Sequence, residues 1–277
     1  MRIIGHRGAR GLFPENTVEG FRAAIALGVR WFELDVGVLR DGVVVVHHDL
    51  ALNGEIARTP GDRWLPGPGP LLRRMDWEEL QDYDVGRIRP GTPYFEAFGA
   101  QAAIDGARVP RLADVVALDA GVGWTIELKL QPDRPDWTVT PEEMVERVLA
   151  VVDEAGAADR VVIQSFDWRA PRHARAVRPE VARAWLTRAD TAADPTLWWG
   201  VPEAQPLPEA VADEGGGTWS PHWTEVTHLL LDRAHTLGVE VVPWTVNDED
   251  AMRRLLKWGA DGLITDWPDR GLAVTGA

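Results

Sequence analysis

Short apolar runs separated by helical spacings recur along the whole of this 277-residue chain. That alternation limits the fold more than any other feature. RIIGH (2–6), WFELDVGVL (31–39), WTIELKL (124–130), RVVIQSF (160–166), ARAWLT (182–187), GTWS (217–220), VEVVPWTV (239–246) and DGLITD (261–266) read as strands. Helical patterns lie over 16–28, 110–121, 141–155, 169–177, 225–237 and 248–259. The first has Asn16 as its expected N-cap, Glu19 three residues on and Gly28 as terminator. Strands alternating with helices imply an α/β fold with a parallel sheet. Eight such units in about 250 residues match a closed (β/α)8 TIM barrel. The alternative, an open doubly wound sheet, lacks support because no Gly-rich dinucleotide loop follows the first strand.

Two stretches depart from the rhythm. Asp41-Gly42 predicts a hairpin turn, with VVVVHH (43–48) as its return strand. A two-residue turn there sets Asp35 opposite His48 and His47 opposite Val36, facing the other way. Residues 51–107 are dense in Pro and Gly, with MDWEELQDYD as a short helix. They read as a lid-like insertion within a single domain spanning 1–277, with nothing able to bury a core of its own. Loops on a rigid scaffold usually decide specificity, so this segment is expected to cover the barrel mouth and limit what a substrate can carry.

In such a barrel the polar residues at strand C-termini face the active site. His6 ends the first strand, Glu33 and Asp35 the second, and Glu127 and Lys129 the third. Each of the latter pairs is two apart and so shares a face. Carboxylates inside apolar strands are costly without a partner. Only Lys129 and Lys257 are lysine among the 29 basic residues, so a lysine beside these acids is informative. A compact ammonium suits point contact with an anionic oxygen.

Three carboxylates without thiols are hard donors suited to Mg²⁺ or Ca²⁺. The chain has no cysteine, which excludes disulfides and thiolate metal sites. Near such a cation, His6 and His48 can act as general base and general acid. With Arg7 and Lys129 the set fits attack on an anionic ester. A net charge of −14 argues against nucleic acid and stable membrane association. MRIIGHRG is too weakly apolar for a signal peptide, which leads us to expect a cytoplasmic protein.

The motifs GHRG…PENT, ELDV…DG…VVHHD, IELK and PWTVND…LLKWGADGLITDWPD together resemble the glycerophosphodiester phosphodiesterases, from residue 3 to about 270. The resemblance implies a (β/α)₈ barrel that releases glycerol 3-phosphate and an alcohol from a small-molecule glycerophosphodiester. It makes His6 and His48 the catalytic pair and Glu33, Asp35 and Glu127 the holders of one divalent cation. Arg7 and Lys129 would contact phosphate, and Trp244 would wall the pocket. Two departures stand out: Arg111 occupies a position where the family usually has Thr, and the 51–107 segment is longer and richer in Pro than in a minimal member. A lysophospholipase-D-like activity and a catalytically silent binding protein are the competing functions.

Overall fold

A computed structural model describes residues 1–203 and 205–276. The strands are β1 (Arg2–His6), β2 (Trp31–Val38), β3 (Val44–Val46), β4 (Arg58–Thr59), β5 (Arg63–Trp64), β6 (Gly123–Leu128), β7 (Val161–Ser165), β8 (Ala182–Thr187), β9 (Gly217–Pro221), β10 (Val239–Val241) and β11 (Gly262–Thr265). Eight run parallel in the order β10-β9-β8-β7-β6-β2-β1-β11, and β3 pairs antiparallel with β2. The two ends meet through Asp261 N–H to Val241 C=O (3.0 Å), Ile264 N–H to Pro243 C=O (3.0 Å) and Val246 N–H to Ile264 C=O (2.8 Å). These bonds close the sheet into the expected barrel.

The barrel's outer face is apolar on both sides. Phe32, Leu34, Trp124 and Ile126 pack against Phe21, Val115, Val148 and Val152 of the surrounding helices. The second half relies on tryptophan. Trp168, Trp185, Trp199 and Trp219 are each at most 1% exposed, and Trp168 stacks on Trp199 at 4.3 Å and 11°. Indole N–H groups need acceptors when buried. Those of Trp168, Trp185 and Trp219 donate to Leu186 C=O, Gly216 C=O and Thr187 Oγ1.

The structure corrects four sequence expectations. First, the helix at Val18–Ala26 is capped by Thr17, whose hydroxyl accepts from Gly20 N–H. Asn16 has φ 52°, outside the extended backbone that an N-cap needs. Second, the hairpin turn holds three residues, Arg40-Asp41-Gly42. Gly42 N–H bonds Leu39 C=O (3.1 Å) and Leu39 N–H bonds Val43 C=O (2.9 Å), with Gly42 at φ 87°. A left-handed third residue is the usual way to close such a loop. The register therefore shifts by one: Val36 pairs with Val46, and His47, not His48, lies opposite Asp35 (His47 N–H to Asp35 C=O, 2.9 Å). Third, the 51–107 segment does bury apolar side chains: Leu52, Ala57, Leu65, Leu72, Met75, Leu80 and Val85 cluster with Leu39 and Val45 of the hairpin. Fourth, a helix at Pro268–Thr275 follows the last strand, where the sequence suggested none. Among the described residues, no helix is long and apolar enough to cross a membrane.

Candidate active site

The loop after β1 folds back sharply onto the strand. A Cβ on Gly5 would lie 1.9 Å from Gly8 C=O, so only glycine fits there. Arg7 and Asn16 both take left-handed backbone (φ 52° each) and are tied by Asn16 N–H to Arg7 C=O (3.0 Å). Such strain in non-glycine residues concentrates at functional sites. The turn aims both side chains at β2. Asn16 Nδ2 donates to Asp35 Oδ2 (3.0 Å). The Arg7 guanidinium lies 3.1 Å from Glu15 and 3.4 Å from Asp35, while the Arg7 backbone N–H donates to Glu33 Oε2 (3.2 Å).

Strand register gathers the acids. His6 pairs with Glu33 across β1–β2, and Asp35 with Glu127 across β2–β6. One oxygen from each of Glu33, Asp35 and Glu127 lies within 4.8 Å of the others, and all three residues are buried. Burial, then Asp35 and Glu127, push the Glu33 carboxyl well above the usual carboxylate range. Burial also works against the Asp35 anion, but His48, Lys129 and Arg7 outweigh it and hold that carboxyl below the usual range. Lys129 Nζ sits 2.8 Å from Glu127 Oε1 and 3.5 Å from Asp35 Oδ1. Asp35 Oδ1 and Asn16 Oδ1 are buried without hydrogen-bond partners. Crowded hard oxygen donors with orphaned lone pairs fit a divalent cation such as Mg²⁺ or Ca²⁺.

Each histidine is held at Nδ1 by an aspartate. His6 Nδ1 lies 2.6 Å from Asp266 Oδ1, and His48 Nδ1 lies 2.7 Å from Asp49 Oδ1. Burial, reinforced by Arg10, pulls the His6 ring down to about 4 against the pull of Asp266. Burial disfavours the Asp266 anion, but His6 and Arg10 outweigh it and keep its carboxyl below the usual range. An ionised Asp266 accepts from Nδ1–H and leaves the His6 Nε2 lone pair free. Asp266 also takes Arg10 Nε (2.6 Å) and Asn247 Nδ2 (2.7 Å), so the ring rests on a fixed carboxylate.

These groups line one cavity of about 430 Å³. His6, Arg7, Glu33, His48, Glu127, Lys129 and Trp244 all border it, and Asp35 lies beneath in contact with Arg7 and Lys129. His48 reaches it despite the shifted register because β3 ends at Val46 and the chain bends through 48–50. His47 is buried at 3% exposure, with Nε2 unpartnered. The far wall is aromatic: Phe166 and Trp244 meet edge to face at 5.4 Å, Trp198 stands beside them, and Arg188 lies over Phe166.

Sequence reasoning missed Asp266, Asn16, Glu15 and Gln164. Asp266 ends the LITD run, so the strand-end rule that found His6 could have found it. Gln164 pairs with Glu127 in register and is buried with Oε1 unpartnered. Asp266→Asn keeps the shape but loses the charge that fixes the His6 tautomer. It should lower kcat about 10–100-fold, the usual worth of a partner that orients a functional histidine. Separate kcat and KM measurements check this: a purely structural role would raise KM or lower Tm and leave kcat intact.

Imidazole rings beside cationic side chains and convergent carboxylates suit the cleavage of a phosphoric ester, and the barrel is an enzyme of that kind. The family model described as the glycerophosphoryl diester phosphodiesterase family matches residues 6–270, and the chain belongs to that family. A candidate glycerophosphoryl diester phosphodiesterase from Silicibacter pomeroyi DSS-3 has a crystal structure that superposes with a TM-score of 0.90 at 36% identity, covering 99% of this chain and 92% of that one. The glycerophosphodiester phosphodiesterase of Caldanaerobacter subterraneus is 27% identical over 267 residues, 96% of this chain and 94% of its own. A phosphodiesterase from Oleispira antarctica, solved in complex with the product sn-glycerol-3-phosphate, shares the fold with a TM-score of 0.76 at 23% identity, covering 100% of this chain and 97% of that one.

Proposed function

We propose that this enzyme hydrolyses glycerophosphodiesters to sn-glycerol 3-phosphate and an alcohol, using one divalent cation held by Glu33, Asp35 and Glu127. The observation that carries the reading is the convergence of those carboxylates with His6 and His48 on one cavity. The cation would neutralise charge on the phosphate's non-bridging oxygens. Lys129 and Arg7 add fixed positive charge on the same side.

His6, neutral and held by Asp266, takes the proton of the substrate's 2-hydroxyl at Nε2. The freed oxygen attacks phosphorus, and the bond to the alcohol oxygen breaks as His48 delivers a proton to it. Water then opens the cyclic phosphate with the two histidines reversing roles. Trp244 and Phe166 shield the glycerol side from solvent. The product bound to the Oleispira relative fits this reading.

Incubation with glycerophosphocholine should release choline and glycerol 3-phosphate. EDTA should stop release, and added Mg²⁺ or Ca²⁺ should restore it. Turnover untouched by EDTA would remove the cation from the reading. Hydrolysis of lysophosphatidylcholine with none of glycerophosphocholine would move the substrate class.

A further inference from the structure

A second cavity, of about 680 Å³, opens beside the catalytic one and shares Asp49, Leu50 and Gln131 with it. Most of the remaining wall comes from the inserted segment, with Trp137 contributed by the loop after β6. We propose that this cavity is the subsite for the departing alcohol, and that it accepts neutral or cationic, partly apolar alcohols over anionic ones. The inference rests on the glycerophosphodiester reading and adds where the second half of the diester lies.

Position supports it first. His48 protonates the leaving oxygen in that reading, and its ring is anchored by Asp49, which borders both cavities. An alcohol released at His48 therefore stands at the mouth of the second space. Phe166, Trp198 and Trp244 line the catalytic cavity and take no part in the second.

Chemistry supports it second. Leu50, Leu52, Pro66, Pro68 and Trp137 give the cavity apolar walls. Its charged groups are Asp49, Glu55 and Arg89. Asp49 is held ionised: burial opposes its charge, but His48 outweighs burial and keeps the carboxyl below its usual range. Glu55 Oε2 accepts Tyr94 N–H (3.1 Å). Arg89 is turned onto Leu65 C=O (Nη1, 3.1 Å). Two carboxylates against one engaged guanidinium favour an amino alcohol and disfavour an anionic one.

Gly67 offers a direct test. It lines the cavity, and a Cβ there meets nothing within 4 Å and needs no left-handed backbone. Gly67→Trp therefore adds bulk at the cavity wall without a clash at its Cβ. The kcat/KM for glycerophosphocholine should fall by about tenfold or more, while that for the methyl ester of glycerol 3-phosphate stays within about twofold. Equal loss or equal retention on the two substrates overturns the proposal. Glu55→Gln adds no bulk and keeps the acceptor for Tyr94. It should lower the choline-over-methyl preference about threefold, and an unchanged preference there overturns the charge selection. Wild-type turnover of the methyl ester reports on the underlying reaction separately. If the wild type hydrolyses neither diester, the functional reading fails and this proposal falls with it.

Discussion

Glu127→Gln should reduce turnover by about 10²–10⁴-fold while leaving the barrel folded. The side chain is 8% exposed and stands opposite Asp35 in register, so it supplies one face of the acidic cluster. Removing one member of a buried charge pair costs about 2–5 kcal/mol of binding, here binding of the cation, and about 1.4 kcal/mol is tenfold in rate. The amide preserves volume, and its oxygen can still accept from Lys129 Nζ, now 2.8 Å away. Folding should survive for that reason. The charge that balances Lys129 would be gone, and cation affinity with it. Activity titrated against Mg²⁺, with a thermal melt beside it, checks both halves. Unchanged turnover would remove Glu127 from the site, and a collapsed melt would make its role structural.

What the sequence disclosed about this cluster, and what it concealed, follows from the range of each interaction. Side-chain alternation is local, so Glu33 and Asp35, or Glu127 and Lys129, could be placed on shared faces from spacing alone. Parallel order then brought their strands together, as β1-β2-β6 neighbours. Turn length is set by backbone that spacing does not reveal. Asp41-Gly42 closed a three-residue loop with Gly42 left-handed, and one extra residue moved every pairing in the hairpin. Asn16 looked like a cap because Asn often is one. Its partner, Asp35, lies on β2, and only the folded chain shows which polar group wins. Glu15 was hidden the same way: it serves Arg7 and accepts from Tyr94 of the 51–107 segment. The Pro and Gly content of residues 51–107 obscured their apolar cluster, because Leu52 and Leu65 lie in irregular backbone and Leu72 and Leu80 in helices of a single turn, too short to show a period.

The neighbouring histidines put the corrected hairpin to its strictest use. His48→Ala should cost about 10²–10⁴-fold in turnover, the worth of a positioned acid or base, because its ring borders the catalytic cavity with Nδ1 held by Asp49. His47 stands opposite Asp35 in the backbone pairing, yet its ring is packed away and burial pushes it below its ordinary value. Burial therefore disfavours the protonated ring that a general acid must present. His47→Ala should leave kcat within about twofold and lower stability by about 1–3 kcal/mol, as a buried truncation does. Turnover of both variants at saturating Mg²⁺, alongside their melting temperatures, separates the two roles. A dead His47→Ala of wild-type stability, beside an active His48→Ala, would mean that the bend after Val46 turns the opposite ring toward the phosphate. The acid of the reaction would then be the residue facing Asp35 across the hairpin.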